Sequence, residues 1–286
     1  MGDPPLNLVP APSAHPEEPR FTLDFQAYDD PSNGQRWTTY WDVEPLCRGP
    51  EPVPDWVVEG RGAVDTELGV LKTGKEADVF LLQRADPGTA GVVMAAKRYR
   101  GEEHRTFHRS AEYAEGRRVR NSRDTRAMAK KSKHGRSVLA GQWAWAEWEA
   151  LKRFWIAGVA VPYPVQIEGT EILMELVTVD GQAAPRLAGT RPDRALLESY
   201  FEQVREVLGA FARAGVAHGD LSPYNVLAAG ERLVVIDLPQ VVDVIANPAG
   251  TDFLMRDCHN MCTWFQRRGL EVDSHDLFGE VVAQAY

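Results

Sequence analysis

The sequence predicts an α+β protein of two lobes, the first an antiparallel sheet with one helix and the second a reduced, mainly helical unit. Three observations point there. Strand-like segments with a single long helix occupy the first half of the chain. A hairpin pattern then leads into the join, and amphipathic helical periodicity dominates the second half. At 286 residues the chain is long enough for two lobes around a cleft.

In chain order, residues 1–20 carry six prolines and little apolar material, so a disordered tail is expected. Residues 21–60 interleave Trp37, Trp41 and Trp56 with turn residues such as Pro31–Gly34 and Pro50–Pro54. Aromatic side chains that large seldom stay in water, so this stretch reads as a strap packed on the main domain, with a partner-docking segment as the alternative. The first lobe is expected over 61–177. Val64–Leu71 and Ala77–Gln83 read as strands around a Thr73–Glu76 loop, and Gly91–Tyr99 as a third strand. Ser137–Ala157 reads as a helix with Trp148, Leu151 and Trp155 on one stripe, stopped by Gly158 and by the prolines at 162 and 164. Val165–Ile167 and Glu171–Val177 form a hairpin pattern. The second lobe, 178–286, opens with a long amphipathic helix over Pro192–Ala214.

Composition excludes several classes. No apolar run approaches the roughly 18–20 residues of a membrane span, and no basic-then-apolar leader opens the chain. The three cysteines, Cys47, Cys258 and Cys262, are too few for a disulfide framework, so a cytoplasmic setting is expected. Cys258, His259 and Cys262 lack a second ligand pair for zinc and read as part of a C-terminal helix with buried thiols. The net charge of −9 hides an asymmetry: between Arg98 and Arg136 lie thirteen Lys/Arg against five Asp/Glu, leaving the remainder near −17. Such a segment reads either as a flexible basic arm for phosphate or nucleic acid or as a solvated loop.

The strongest chemical signal is His218-Gly219-Asp220-(x)4-Asn225, followed by an apolar strand ending in Asp237. Phosphoryl transfer needs positioning and cancellation of the triphosphate charge more than covalent chemistry. Asp220 suits the proton of an attacking hydroxyl, and Asn225 and Asp237 offer hard oxygen ligands to a divalent metal. The spacing matches the catalytic loop and metal-binding Asp of protein kinases, here in the triplet Asp237-Leu238-Pro239. Lys97, at the end of the third strand, sits where a phosphate-contacting lysine is expected. Its carboxylate partner is Glu147 or Glu149, between which helical periodicity does not choose. Gly69 to Glu76 nearly spells a Walker-type loop, but Glu76 stands in place of the hydroxyl and a strand comes next rather than a helix. Gly74, Thr73 and Lys75 still suit phosphate.

Taken together, Thr73–Phe80, Ala96–Tyr99, Ala157–Pro162, Ile172–Val177, His218–Asn225 and Phe253–Cys258 resemble the RIO family of atypical serine/threonine protein kinases, its first subfamily best, over about Gly62 to Phe265. The resemblance implies a protein-kinase-like fold, ATP as substrate, and Mg²⁺ as cofactor with Mn²⁺ as the alternative ion. It implies nucleotide contacts from Thr73, Gly74, Lys75, Glu76 and Lys97, with Glu147 as the lysine's partner. Met174 is then the gatekeeper, Glu175 and Val177 the adenine contacts, Asp220 catalytic, and Asn225 and Asp237 metal ligands. Asp237 matches the position the family is thought to phosphorylate transiently. It further implies self-phosphorylation and ATP hydrolysis, with the protein substrate unknown; an ATP-dependent switch on ribosomal or other RNA, gripped by the basic segment, is the alternative reading. No A-P-E motif follows Asp237, which argues against ordinary peptide docking. A small-molecule phosphotransferase of the aminoglycoside-kinase type is the other enzyme class sharing the loop.

Overall fold

The structure, a computed structural model, describes residues 34–100, 133–239 and 241–285. The tail at 1–20, residues 21–33 of the strap and residues 101–132 of the basic segment lie outside them.

The first lobe is one six-stranded sheet in the order β1-β2-β3-β4-β6-β5, every neighbouring pair antiparallel. Its strands are β1 (Gln35–Trp37), β2 (Val64–Thr73), β3 (Ala77–Ala85), β4 (Val92–Tyr99), β5 (Pro164–Glu168) and β6 (Glu171–Glu175). Helix α1 (Lys133–Ile156) stands between β4 and β5 in sequence. Strand alternation separates two faces. Ala95, Tyr99, Ile172 and Met174 pack towards α1, where Trp148, Leu151 and Phe154 are buried. Leu82, Met94, Ala96, Val165 and Leu173 point the other way, into a second cluster closed by Tyr40 and Val57.

Residues 34–60 are what close that second face. Trp37 pairs with Val64, which adds β1 to the sheet edge. Trp56 and Trp155 both stack edge-on against Tyr163, at centroid distances of 5.9 and 5.0 Å. Trp41 stays on the surface, with the Arg48 and Arg61 guanidiniums 4.8 and 5.4 Å from its ring centroid, and its Nε1 donates to the Glu59 carbonyl at 2.6 Å. The segment also reaches α1: the Leu46 carbonyl accepts from Trp148 Nε1 and Lys152 Nζ, both at 3.1 Å. Gly49 donates to the Val165 carbonyl so closely that a Cβ there would sit 2.1 Å from the Pro164 oxygen.

A buried ion pair anchors the same region. Arg84 Nε lies 2.6 Å from Asp65 Oδ1, and its Nη2 donates to Gln166 Oε1 at 2.9 Å. Removing either charge alone would leave the other desolvated.

The second lobe holds α2 (Arg194–Arg213), α3 (Gly250–Gln266) and α4 (Ser274–Val282). The expected start of α2 at Pro192 shifts to Arg194 because Asp193 is the cap, its Oδ1 accepting from Leu196 N at 2.9 Å. Six short strands fill out this lobe in three antiparallel pairs: β7 (Thr178–Val179) with β8 (Gln182–Ala183), β9 (Val216–Ala217) with β12 (Val242–Asp243), and β10 (Val226–Ala229) with β11 (Arg232–Val235). β11 answers to the apolar strand expected before Asp237; the others are too short to carry a clear periodicity. Cys258 and Cys262 are buried thiols on α3. Among the described residues no helix is long and apolar enough to cross a membrane.

Candidate active site

Between the sheet and the second lobe lies a cavity of about 340 Å³. Its walls include nine of the residues singled out in the sequence: Gly74, Lys75, Glu76, Lys97, Glu147, Met174, Glu175, Val177 and Asp237. Thr73 ends β2 opposite Asp78 and falls just outside that lining, as do Asp220 and Asn225.

Lys97 organises the polar end. It lies on β4 between Val79 and Ile172 of the flanking strands, on the same face as Ala95 and Tyr99. Its Nζ is 2.6 Å from Glu147 Oε1 and 2.7 Å from Asp237 Oδ1. Burial alone would lower the lysine's pKa, but the Asp237 and Glu147 carboxylates outweigh it and hold the ammonium charged. The Lys97 cation in turn holds Asp237 below the usual carboxylate range, against the opposing effect of burial. Glu147 accepts twice more, from the Tyr99 hydroxyl at 2.5 Å and from Leu238 N at 3.2 Å. Glu149, the alternative partner, instead pairs with Lys152 at 2.8 Å. Asp237 itself sits in the left-handed region, at φ 68°, a conformation rare outside glycine but accessible to Asp.

The turn from β2 to β3 crosses the same cavity. Gly74 N donates to the Ala77 carbonyl at 3.0 Å, and a Cβ on Gly74 would lie 2.6 Å from that oxygen. No other residue fits so tight a return. Burial, reinforced by Asp237, pushes the Glu76 carboxyl upwards.

The opposite end is apolar, walled by Val79, Ala95, Met174, Ala184 and Leu227. Here the chain passes from sheet to second lobe through Glu175–Val177. Glu175 N donates to the Tyr163 carbonyl at 2.9 Å, while the Val177 carbonyl accepts from Ala184 N at 2.9 Å. The Val177 N–H has no acceptor among the described residues.

The Asp220 loop is built from its backbone. Asn225 Nδ2 donates to the Asp220 carbonyl at 2.9 Å, and the Asn225 carbonyl accepts from Ile236 N at 2.9 Å, which brings Asn225 beside Asp237. His218 is fully buried; its Nδ1 faces Asp220 N and its Nε2 faces the Ile236 carbonyl, each at 3.3 Å. Those partners require the Nε2–H tautomer, and burial pushes the ring's pKa down so that it stays neutral.

Sequence reading missed three participants. Asp257, buried on α3, accepts from Gly219 N at 2.9 Å and Leu221 N at 2.8 Å, holding the loop on both sides of Asp220. Burial pushes its carboxyl up to about 7, against those two donors and the Arg256 cation. Lys72 and Arg186 line the cavity as well. The Asp within Phe253–Cys258 was visible as part of a motif, but nothing local tied it to residues nearly forty positions earlier.

Comparison with known proteins agrees with this architecture. The model of the RIO domain matches residues 88–277. The RIO-type serine/threonine-protein kinase Rio1 of Haloferax volcanii is 35% identical over 217 residues, covering 76% of this chain and 69% of that protein. Rio1 of Methanocaldococcus jannaschii is 28% identical over 214 residues, covering 74% and 67% respectively. Among solved structures, the Rio2 kinase–ADP/Mg²⁺–phosphoaspartate complex of Chaetomium thermophilum is similar with a TM-score of 0.53 and 21% identity, over 76% of this chain and 62% of that one. At that identity the likeness speaks for the protein-kinase-like fold alone. The extent of the domain match and the archaeal relatives carry the stronger statement: the chain belongs to the RIO family of serine/threonine-protein kinases, a family of phosphotransferases.

Proposed function

We propose that the chain is an ATP- and Mg²⁺-dependent kinase whose measurable activities are self-phosphorylation and ATP hydrolysis. The observation that carries the reading is Lys97 Nζ, held 2.6 and 2.7 Å from Glu147 and Asp237 in a cavity whose other end is apolar. In this reading Val79, Ala95, Met174 and Leu227 receive a purine ring, and the Val177 N–H donates to its edge. Lys97, with Lys75 and the backbone of the Gly74 turn, takes the phosphates; Thr73 and Glu76 shape that turn. Asp220 orients the attacking hydroxyl and accepts its proton.

The donors suit a hard divalent ion. Asp237 brings a carboxylate and Asn225 an amide oxygen left over once its Nδ2 is committed to Asp220. Mg²⁺ commonly takes only one or two protein oxygens and completes its shell with phosphate and water, and Mn²⁺ accepts the same donors. When bound, the ion would neutralise charge developing on the phosphates. Asp237 is also the proposed site of a transient acyl phosphate. Its Oδ would take the γ-phosphoryl group with departure of ADP, and water would then release inorganic phosphate and restore the carboxylate.

The lobe boundaries of 61–177 and 178–286, a cytoplasmic setting and action on ribosomal or other RNA assemblies through Arg98–Arg136 belong to the same proposal. The last rests on the charge of that segment alone.

The test follows the γ-phosphate of radiolabelled ATP with Mg²⁺ in wild type, Asp220→Asn and Asp237→Asn. Label on the protein or as free phosphate, lost in Asp220→Asn, is expected, with an alkali-labile fraction lost in Asp237→Asn. A wild-type protein that neither labels itself nor releases phosphate sinks the reading.

A further inference from the structure

We propose that Lys72 and Arg186 form a two-sided cationic clamp that grips the polyphosphate of the bound nucleotide from opposite walls of the cleft. This rests on the nucleotide reading above and extends it to residues that no motif marks.

The two side chains come from different parts of the fold. Lys72 lies near the end of β2, beside a register shift that follows Val70. Arg186 lies beyond β8, bridged to Leu227 of β10. Both line the cavity that contains Lys97 and Asp237. The other charged groups of that cavity are largely committed. Lys97 is shared by Glu147 and Asp237, and Glu175 turns to Tyr163 N at 3.1 Å and Arg232 at 3.9 Å. Neither the Lys72 nor the Arg186 side chain makes an ion pair or hydrogen bond with a described residue.

Their electrostatics run the same way. Partial burial and then the Arg186 cation lower the Lys72 pKa, while the Asp237 carboxylate raises it. Burial also lowers Arg186, and Asp237 is the anion that both of them sense. Two like charges facing one cleft, with no carboxylate paired to either among the described residues, leave room for a further anion. A polyphosphate supplies that anion: an arginine fork matches its oxygens in pairs, and a lysine adds a mobile point charge. Because the cations belong to the sheet and to the second lobe, a ligand held by both draws the lobes together.

The experiment titrates adenosine, ADP and ATP, with Mg²⁺, into the full chain by calorimetry, comparing wild type, Lys72→Met, Arg186→Met and the double variant. Removing either cation should weaken ATP about ten-fold, the effect of one charge-assisted hydrogen bond. Adenosine affinity should stay within about two-fold and serves as an internal measure of folded, competent protein. The thermal midpoint without nucleotide should hold in each variant, since neither side chain is paired with a described residue. A merely structural role for either residue moves that midpoint down and weakens adenosine and ATP alike. An unchanged ratio of ATP to adenosine affinity in both single variants overturns the clamp, even when wild type binds both ligands well. Wild type that binds neither overturns the nucleotide reading itself, and the clamp with it.

Discussion

Fifty residues separate Lys97 from Glu147 in sequence, yet Nζ and Oε1 are 2.6 Å apart, and Asp237 approaches the same ammonium from a third element. One cation therefore serves two carboxylates. Its loss has a different consequence from the loss of either anion.

Lys97→Met leaves Glu147 and Asp237 facing each other without their shared charge. Breaking a buried pair in this way costs about 3–5 kcal/mol, with the lower end expected because the Asp237 side chain is 44% exposed. Glu147→Gln leaves Lys97 still paired with Asp237 and should cost less, about 1.5–3 kcal/mol. Both should lower phosphoryl transfer by about 10²-fold or more. Asp237 is held below its ordinary pKa, so its contribution is full above pH ~4 and is lost as pH falls through the lower folded value. The Lys97→Met deficit should therefore shrink in acid. Urea denaturation at pH 7 and pH 3 measures both effects, and a Glu147→Gln protein less stable than Lys97→Met would contradict the sharing.

Asp257 gives a pH dependence of opposite sign. Its carboxyl is raised to about 7 in the folded protein from 3.8. Between those values the folded state binds more protons than the unfolded state, so stability falls as pH rises from ~4 to ~7 and is flat above. Denaturant midpoints at pH 5 and pH 8 should differ in that direction, and the difference should narrow in Asp257→Asn. Asp257→Ala, which leaves Gly219 and Leu221 N–H groups without their acceptor, should cost about 2–4 kcal/mol and slow phosphate transfer through the loop.

Asp65 lies outside the cleft lining, so its role separates stability from chemistry. Asp65→Asn strands the Arg84 guanidinium in the core and should destabilise by about 3–5 kcal/mol. ATP affinity of the folded protein should remain that of wild type. Chemical denaturation beside a nucleotide titration checks both statements, and loss of affinity in the folded protein would argue against the separation.

Gly49→Ala probes how residues 34–60 hold the outer sheet face. The added methyl meets the Pro164 carbonyl at 2.1 Å, a backbone atom that cannot turn aside. A loss of about 1–3 kcal/mol is expected from such overpacking. It should appear as a lower midpoint accompanied by greater Trp exposure in quenching measurements. An unchanged midpoint would mean that the segment yields easily there.

Much of this fold was legible because it is written locally. Alternation in β3 and β4, the Trp148/Leu151 stripe of α1 and the glycine that ends it are consequences of backbone period and need no distant partner. The same holds for His218, Asp220, Asn225 and Asp237: their spacing on one loop and one following strand is short enough for sequence to prescribe how they meet. The choice between Glu147 and Glu149 was different. Both flank the buried stripe, and which of them faces Lys97 depends on the rotation of α1. Interactions such as Trp148 Nε1 to the Leu46 carbonyl, 102 residues away in sequence, help to hold that rotation.

Sequence alone thus determined the chemistry available to this protein: a lysine, an acid, an amide and a carboxylate suited to a divalent ion, in the order and spacing of a phosphotransferase. Tertiary structure alone decided which groups share charge. It brought Asp257 beneath the Asp220 loop, placed Lys72 and Arg186 on one cavity, and covered the outer sheet face with Tyr40 and Val57. The physical reason is that hydrogen bonding and desolvation act through space, over distances of a few ångströms that no local pattern along the chain encodes.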